Sequence, residues 1–322
     1  MRKPFRLWVL VLKILIIILS YGYIYYQLFY KKNNFELLRL YHFDWIKTGL
    51  LALVFILMFA NWSMESIKWR ILVSPLEKIS FWHSFKGVVI GLTTSIFTPN
   101  RTGEYFGRIW VLSQKRVQGI FATITGSIAQ LLITLTAGIF SLFYFIPISS
   151  GKLIFFTKNR ALILSIAIGL AVILLVFLFT LPFLSGKLKR FRKLHYFLDF
   201  LKQYKPSNML SILLLSILRY FIFVFQFFLL IFIFDIHLGF EIVFMSLALI
   251  YFMMAFIPSL TLAEIGIRGS LAITIFSIFV PNTMGVFFAI SSLWIINIAI
   301  PSIVGSFLLI KLKINDSANS TT

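Results

Sequence analysis

The sequence predicts an all-α, polytopic membrane protein: about six spanning helices plus two re-entrant helical hairpins, eight hydrophobic regions in all, arranged as inverted repeats. Three observations predict it. Of 322 residues, 60% are hydrophobic and 12% charged, with a mean hydropathy of +0.97, too little polar side chain to cover a soluble globule. The apolar residues fall into long runs separated by short basic connections. Two of those runs are broken by a proline that is followed by a glutamate and an arginine four residues apart, once in each half of the chain.

A hydrocarbon core of about 30 Å needs about 20 residues of helix. Residues 7–29, 48–67, 119–146, 161–181, 209–234 and 284–310 meet that requirement. The first run follows Arg2, Lys3 and Arg6 and so imitates a secretion signal, but bulky tyrosines stand where a cleavage site needs small residues, and it reads as an uncleaved span. The 38 phenylalanines suit a surface that faces lipid.

The hairpins differ from the spans. Residues 87–97 supply half a crossing before Pro99, which removes a helix donor and disfavours helical geometry in the residue before it; the second arm is 102–111. Residues 241–257 and 262–280 repeat the layout around Pro258, although each of those arms is long enough to cross alone.

Orientation follows from the loops. Lys187, Lys189, Arg190, Arg192, Lys193, Lys202 and Lys205 face a single acid, Asp199, which places that loop in the cytoplasm. The next connection, 235–241, has no lysine or arginine and faces outward. Propagated along the chain, this puts both termini in the cytoplasm and the protein in the cell (plasma or inner) membrane. Lys31, Lys32, Arg39 and Lys47, and Lys152, Lys158 and Arg160, then fall in outer loops against the trend. The halves thread the membrane in opposite senses, the arrangement associated with alternating access. No linker divides the chain, so it reads as one domain, 1–314, with a short polar tail, 315–322.

Thirty Lys plus Arg against ten Asp plus Glu give a net charge of +20. The basic residues sit between apolar runs and not along one soluble face, so the expected partners are membrane lipids with anionic headgroups and not nucleic acid. The absence of cysteine excludes disulfides, thiolate metal sites and cysteine nucleophiles. His42, His83, His195 and His237 are dispersed without ligand spacing, so neither a metal nor a cofactor is expected. No nucleotide-binding glycine loop, zinc-protease helix or hydrolase elbow is present, which argues against an enzyme. Nothing in the sequence sets the oligomeric state.

Ionisable residues at membrane depth are costly and mark substrate or ion paths. In the first broken segment Asn100 can cap a new helix whose first amides point toward the break, and Arg101 adds a guanidinium able to grip a phosphate with paired hydrogen bonds. Glu104 and Arg108 share a helix face; either they only finish a cytoplasmic helix, or Glu104 and Arg101 line a headgroup cavity. Thr261 and Glu264 have the spacing of a capping box, and Glu264 with Arg268 can also face the first segment across the repeat interface. Arg219, with Gln226 on the same face, lies too deep to snorkel. It needs a carboxylate, with Glu104 and Glu264 as candidates, a carbonyl or a lipid phosphate; a purely structural ion pair is the alternative. Asn61, Glu65 and Lys68 read as interhelical hydrogen bonding at the end of a span, and Lys13 as a snorkelling residue. The candidate substrate-binding set is therefore Asn100, Arg101, Glu104, Arg108, Arg219, Glu264 and Arg268, with no catalytic residue.

The run Gly91, Thr98, Pro99, Arg101, Gly103, Glu104 and Arg108 resembles the hallmark segment of the lysylphosphatidylglycerol synthase transmembrane family, also called flippase-like domains. Residues 61–72, with Lys68, Trp69 and Arg70, are similar to that family's second-span ending, and 258–268 sits where the family has a second proline-to-arginine motif. Gly269 stands where the family has an acidic residue, so the resemblance carries roles to the first segment and not to the second. The resemblance implies movement of lipids between leaflets. It also implies that this chain, which lacks the synthase domain fused in the multiple peptide resistance factors, does not make an aminoacyl lipid. Two other classes fit the sequence: an accessory protein supporting an envelope-lipid enzyme, and a polyprenyl-phosphate-dependent glycosyltransferase, for which Asp44, Asp235 and Glu241 are the outer-loop carboxylates.

Overall fold

Helix α1 (Trp45–Val73) begins where the Asp44 carboxylate accepts a hydrogen bond from the Lys47 amide at 2.7 Å, a cap that satisfies an otherwise orphaned donor. In the computed structural model the described residues are 44–96, 98, 100–150, 165, 169, 176, 192–257 and 263–319, with the backbone alone at 146–150, 192–194 and 311–319. Among these residues every regular element is a helix. The expected span at 7–29, that at 161–181 apart from residues 165, 169 and 176, and Pro99, Pro258 and Thr261 lie outside them.

Among the described residues four helices are long and apolar enough to cross a membrane: Trp45–Val73, Arg116–Phe145, Pro206–Ile233 and Thr283–Ile310. They coincide with four of the predicted spans. α1 runs six residues past the predicted end at 67, because no helix breaker intervenes before Val73, and that extension puts Glu65 well inside the helix. Between α1 and the next span come α2 (Phe81–Ile96) and the short α3 (Gly103–Arg108), which tightens into a 3₁₀ turn at Ile109–Val111. α4 (Arg116–Ser150) closes the first half.

After the short amphipathic α5 (Arg192–Leu201), α6 (Pro206–Ile233) opens with a proline at its first position, where the missing amide costs no bond. α7 (Phe240–Phe256) and α8 (Glu264–Phe276) occupy the second broken segment, and α8 ends four residues before the predicted end of its arm at 280. α9 (Thr283–Trp294) is capped by Asn282, which accepts from the Gly285 amide at 3.0 Å, and passes through a π turn at Ile295–Ala299 into α10 (Ile300–Asn319). A π turn leaves a carbonyl without its helical partner, and here the Trp62 indole donates to the Asn297 carbonyl at 3.1 Å.

α1 and α6 lie antiparallel. Lys47 meets Asp235 at 2.7 Å at one end, the Gln226 amide donates to the Val54 carbonyl at 2.9 Å within the interface, and the Tyr204 hydroxyl donates to the Leu72 carbonyl at the other end. α2 packs on α10, with the Thr93 hydroxyl 2.9 Å from the Ser302 carbonyl. α7 packs on α4, where Phe252 covers Gly138 and the Ser141 hydroxyl donates to the Met245 carbonyl. These pairings map onto one another when the halves are exchanged: each half's first hairpin arm rests on the other half's closing helix. The outer faces of α1, α6 and α10 carry exposed apolar side chains such as Phe59, Leu214 and Phe307, as a lipid-facing surface does.

Candidate functional site

The first hairpin closes through small residues and hydroxyls. A Cβ on Gly107 would lie 2.6 Å from the Gly91 Cα, so α2 and α3 meet backbone to backbone, and the Thr98 hydroxyl accepts from the Gly103 amide at 2.7 Å. The chain reverses over two consecutive left-handed residues, Asn100 with φ 51° and Arg101 with φ 57°. Asn100 therefore does not cap the new helix, contrary to the sequence expectation. Its backbone takes the left-handed conformation of the turn, which asparagine tolerates better than most residues, and Thr102 takes the N-cap position without a side-chain cap. Left-handed geometry at Arg101 costs of order 1–3 kcal/mol, a strain that clusters at functional sites.

This tight approach presses the polar face of α3 inward. Arg108 is 3% exposed, and its guanidinium reaches two carboxylates, Glu65 at 2.7 Å and Glu104 one turn back on its own helix. Glu65 is the hub of the group. It also takes Lys68 at 2.7 Å and pairs with Arg219 from α6. Arg219 donates further to Asn61 at 2.8 Å and to Gln130 at 3.2 Å, and its guanidinium lies 5.5 Å from the Trp62 ring. The partner expected for Arg219 was Glu104 or Glu264; the structure gives Glu65, because the antiparallel contact of α1 with α6 sets those two positions level. Glu65 and Lys68 thus do more than join helices.

In the second broken segment Glu264 and Arg268 pair with each other at 2.6 Å, both buried. The N-cap of α8 is Ala263, which makes no side-chain cap, and Glu264 uses its carboxylate on Arg268. Arg268 also donates to the Tyr251 hydroxyl at 3.3 Å and lies 5.1 Å from that ring. Tyr251 comes from α7, whose other polar residues, Glu241 and Ser246, lie further toward its start.

Both segments open on one cavity of about 650 Å³. All seven residues singled out from the sequence line it: Asn100, Arg101, Glu104, Arg108, Arg219, Glu264 and Arg268. Glu65, Lys68, Gln130 and Tyr251 line it too and were not singled out as binding residues. The lining holds Lys68, Arg101, Arg108, Arg219 and Arg268 against Glu65, Glu104 and Glu264: five positive charges, three negative and a surplus of two. Arg101 has no ion-pair partner among the described residues, and its Nε is buried without a hydrogen bond. Among the described residues no group of three metal-ligating side chains comes together.

No curated protein and no solved structure matches the chain significantly. The sequence profile described as "Lysylphosphatidylglycerol synthase TM region" matches residues 8–305, and no synthase domain is detected. The all-helical fold, the apolar spans and that match over nearly the whole chain agree: this protein belongs to the lysylphosphatidylglycerol synthase transmembrane family, membrane proteins related to lipid-modification systems.

Proposed function

We propose that the protein is a lipid translocase that moves an anionic phospholipid, or another anionic lipid, between leaflets by receiving its headgroup in the charged cavity, with no chemical step of its own. The observation that carries this reading is the charge surplus of two in a cavity built from both broken segments, with Arg101 uncommitted. A charged headgroup crosses hydrocarbon only if its lost hydration is replaced. Guanidinium groups supply paired donors to phosphate oxygens, and the three carboxylates hold those groups in place when no lipid is bound.

The proposal includes the cell membrane as the location and cytoplasmic termini, supported by the basic loop at 187–205. Two of the three outer-loop carboxylates, Asp44 and Asp235, have structural partners, which supports a role outside catalysis for them: Asp44 caps α1 and Asp235 pairs with Lys47, and Asp44 lies about 30 Å along α1 from Glu65 at 1.5 Å per residue. The test is leaflet transfer of a fluorescent anionic lipid in proteoliposomes. Arg101→Gln should reduce transfer at least tenfold while the protein keeps its elution profile in detergent. Unchanged transfer refutes the reading, and loss of stability with no change in transfer favours an accessory role.

A further inference from the structure

A second cavity of about 160 Å³ adjoins the large one and differs from it in charge. Arg101, Arg219 and Arg268 line both, but all three carboxylates line only the larger space. The small chamber is therefore walled by three guanidiniums and, among the described residues, by no acid. Its remaining polar wall comes from Asn61, Gln130, Thr134, Tyr220, Tyr251 and Asn297.

Several of these residues hold buried polar atoms without a hydrogen-bond partner among the described residues: Arg101 Nε, Arg268 Nε, the Tyr220 hydroxyl and Asn297 Oδ1. Tyr220 is 7% exposed, Asn297 3% and Arg268 7%. Buried donors without acceptors are costly and uncommon in a native interior. Three of these four atoms are donors, the Nε of two of the three guanidiniums and the Tyr220 hydroxyl, and three guanidiniums with an adjacent hydroxyl are the complement of an oxyanion; Asn297 Oδ1 is the one acceptor. At a water's share of about 30 Å³, the chamber has room for about five waters, enough for one such group and no large substituent.

The geometry points to the small chamber as the seat of a terminal phosphate group, a phosphomonoester. Its three arginines come from three different elements, the turn before α3, α6 and α8, an origin that suits a tetrahedral group with several oxygens better than a flat carboxylate. A terminal phosphate offers three non-bridging oxygens to three guanidiniums, whereas a diester offers two. Its charge of about −1.5 to −2 near neutral pH cancels the surplus of two in the combined site, and a diester would leave one positive charge uncompensated. This inference rests on the translocase reading only for the lipid tail of the ligand; the same chamber would take free phosphate.

The test is equilibrium binding to purified protein of three probes: phosphatidic acid, phosphatidylglycerol and inorganic phosphate, each with wild type, Arg101→Gln and Tyr220→Phe. Tyr220→Phe removes a hydroxyl that has no hydrogen-bond partner among the described residues, so it should leave the fold intact. Phosphatidic acid should bind at least about tenfold more tightly than phosphatidylglycerol, and Tyr220→Phe should weaken it about threefold to tenfold, the range of one lost hydrogen bond, while phosphatidylglycerol binding stays the same. Equal affinity for the two lipids, or no effect of Tyr220→Phe on phosphatidic acid or phosphate, overturns the assignment. Inorganic phosphate bound with the same Tyr220→Phe sensitivity, with neither lipid bound, upholds the chamber and makes free phosphate its ligand, which defeats the translocase reading. Transfer of phosphatidylglycerol without a preference for phosphatidic acid defeats the chamber assignment and leaves the translocase reading standing.

Discussion

Replacing Glu65 by glutamine removes the one carboxylate that three cations share, and the structure indicates which of them suffers most. Arg108 keeps Glu104, and Arg219 keeps Asn61 and Gln130. Lys68 keeps only a 3.5 Å contact with the Gly126 carbonyl, and its side chain is 1% exposed. A buried cation stranded in this way costs about 3–5 kcal/mol. Glu65→Gln should therefore lower stability by about that amount in an unfolding titration by sodium dodecyl sulfate in mixed micelles. Lys68→Met in the same chain removes the stranded charge and should recover at least about half of the loss. Lys68→Met alone should cost less than Glu65→Gln, since Glu65 still holds two arginines. A Glu65→Gln protein within about 1 kcal/mol of wild type, or a double variant no more stable than the single one, would refute the hub.

Two further outcomes follow from the ends of the helices. At the surface, the Glu77 carboxylate accepts from the Ser113 hydroxyl at 2.8 Å and the Ser113 amide at 3.0 Å, and the Ser113 hydroxyl bond holds its carboxyl below the ordinary value of 4.5. A group lowered by folding stabilises the fold above its unfolded value and loses that contribution as pH falls through the folded one, so amide protection at Ser113 and Gln114 should drop below pH 4.5 in wild type and show no such step in Glu77→Gln. Because the chain has no cysteine, single cysteines at Gly239 and Ser320 report orientation directly; an impermeant maleimide added to intact cells should label Gly239→Cys and spare Ser320→Cys, and the reverse pattern would invert the proposed topology.

The sequence marked the site well because the physics of the bilayer makes charges there conspicuous. Glu104, Arg108, Glu264 and Arg268 stand out against apolar neighbours, and an arginine as deep as Arg219 has no route to water. What the sequence could not show was pairing across the fold. Glu65 looks like a residue at the end of a span until α1 is seen to continue to Val73, and nothing in its spacing names Arg219, 154 positions away, as its partner. Tyr251 lies in a helix with no polar periodicity, so its contact with Arg268 had no signal at all. The cap assigned to Asn100 failed for a related reason: a turn with two left-handed residues competes for the same asparagine that would cap a helix, and composition alone does not decide between them. Nor did the π turn at Asn297, which faces a wall of the smaller cavity, announce itself in an apolar run.

Whether a lipid headgroup enters the charged cavity can be read by photocrosslinking. An anionic phospholipid carrying a diazirine in its headgroup is irradiated with the purified protein in bilayers, and the labelled peptides are mapped by mass spectrometry. The account predicts label on the segments lining the cavity, around Tyr105 and around Met254 to Ile257, and its loss in Arg101→Gln. Label confined to the outward apolar faces, near Phe59, Leu214 and Phe307, and indifferent to Arg101, would contradict it.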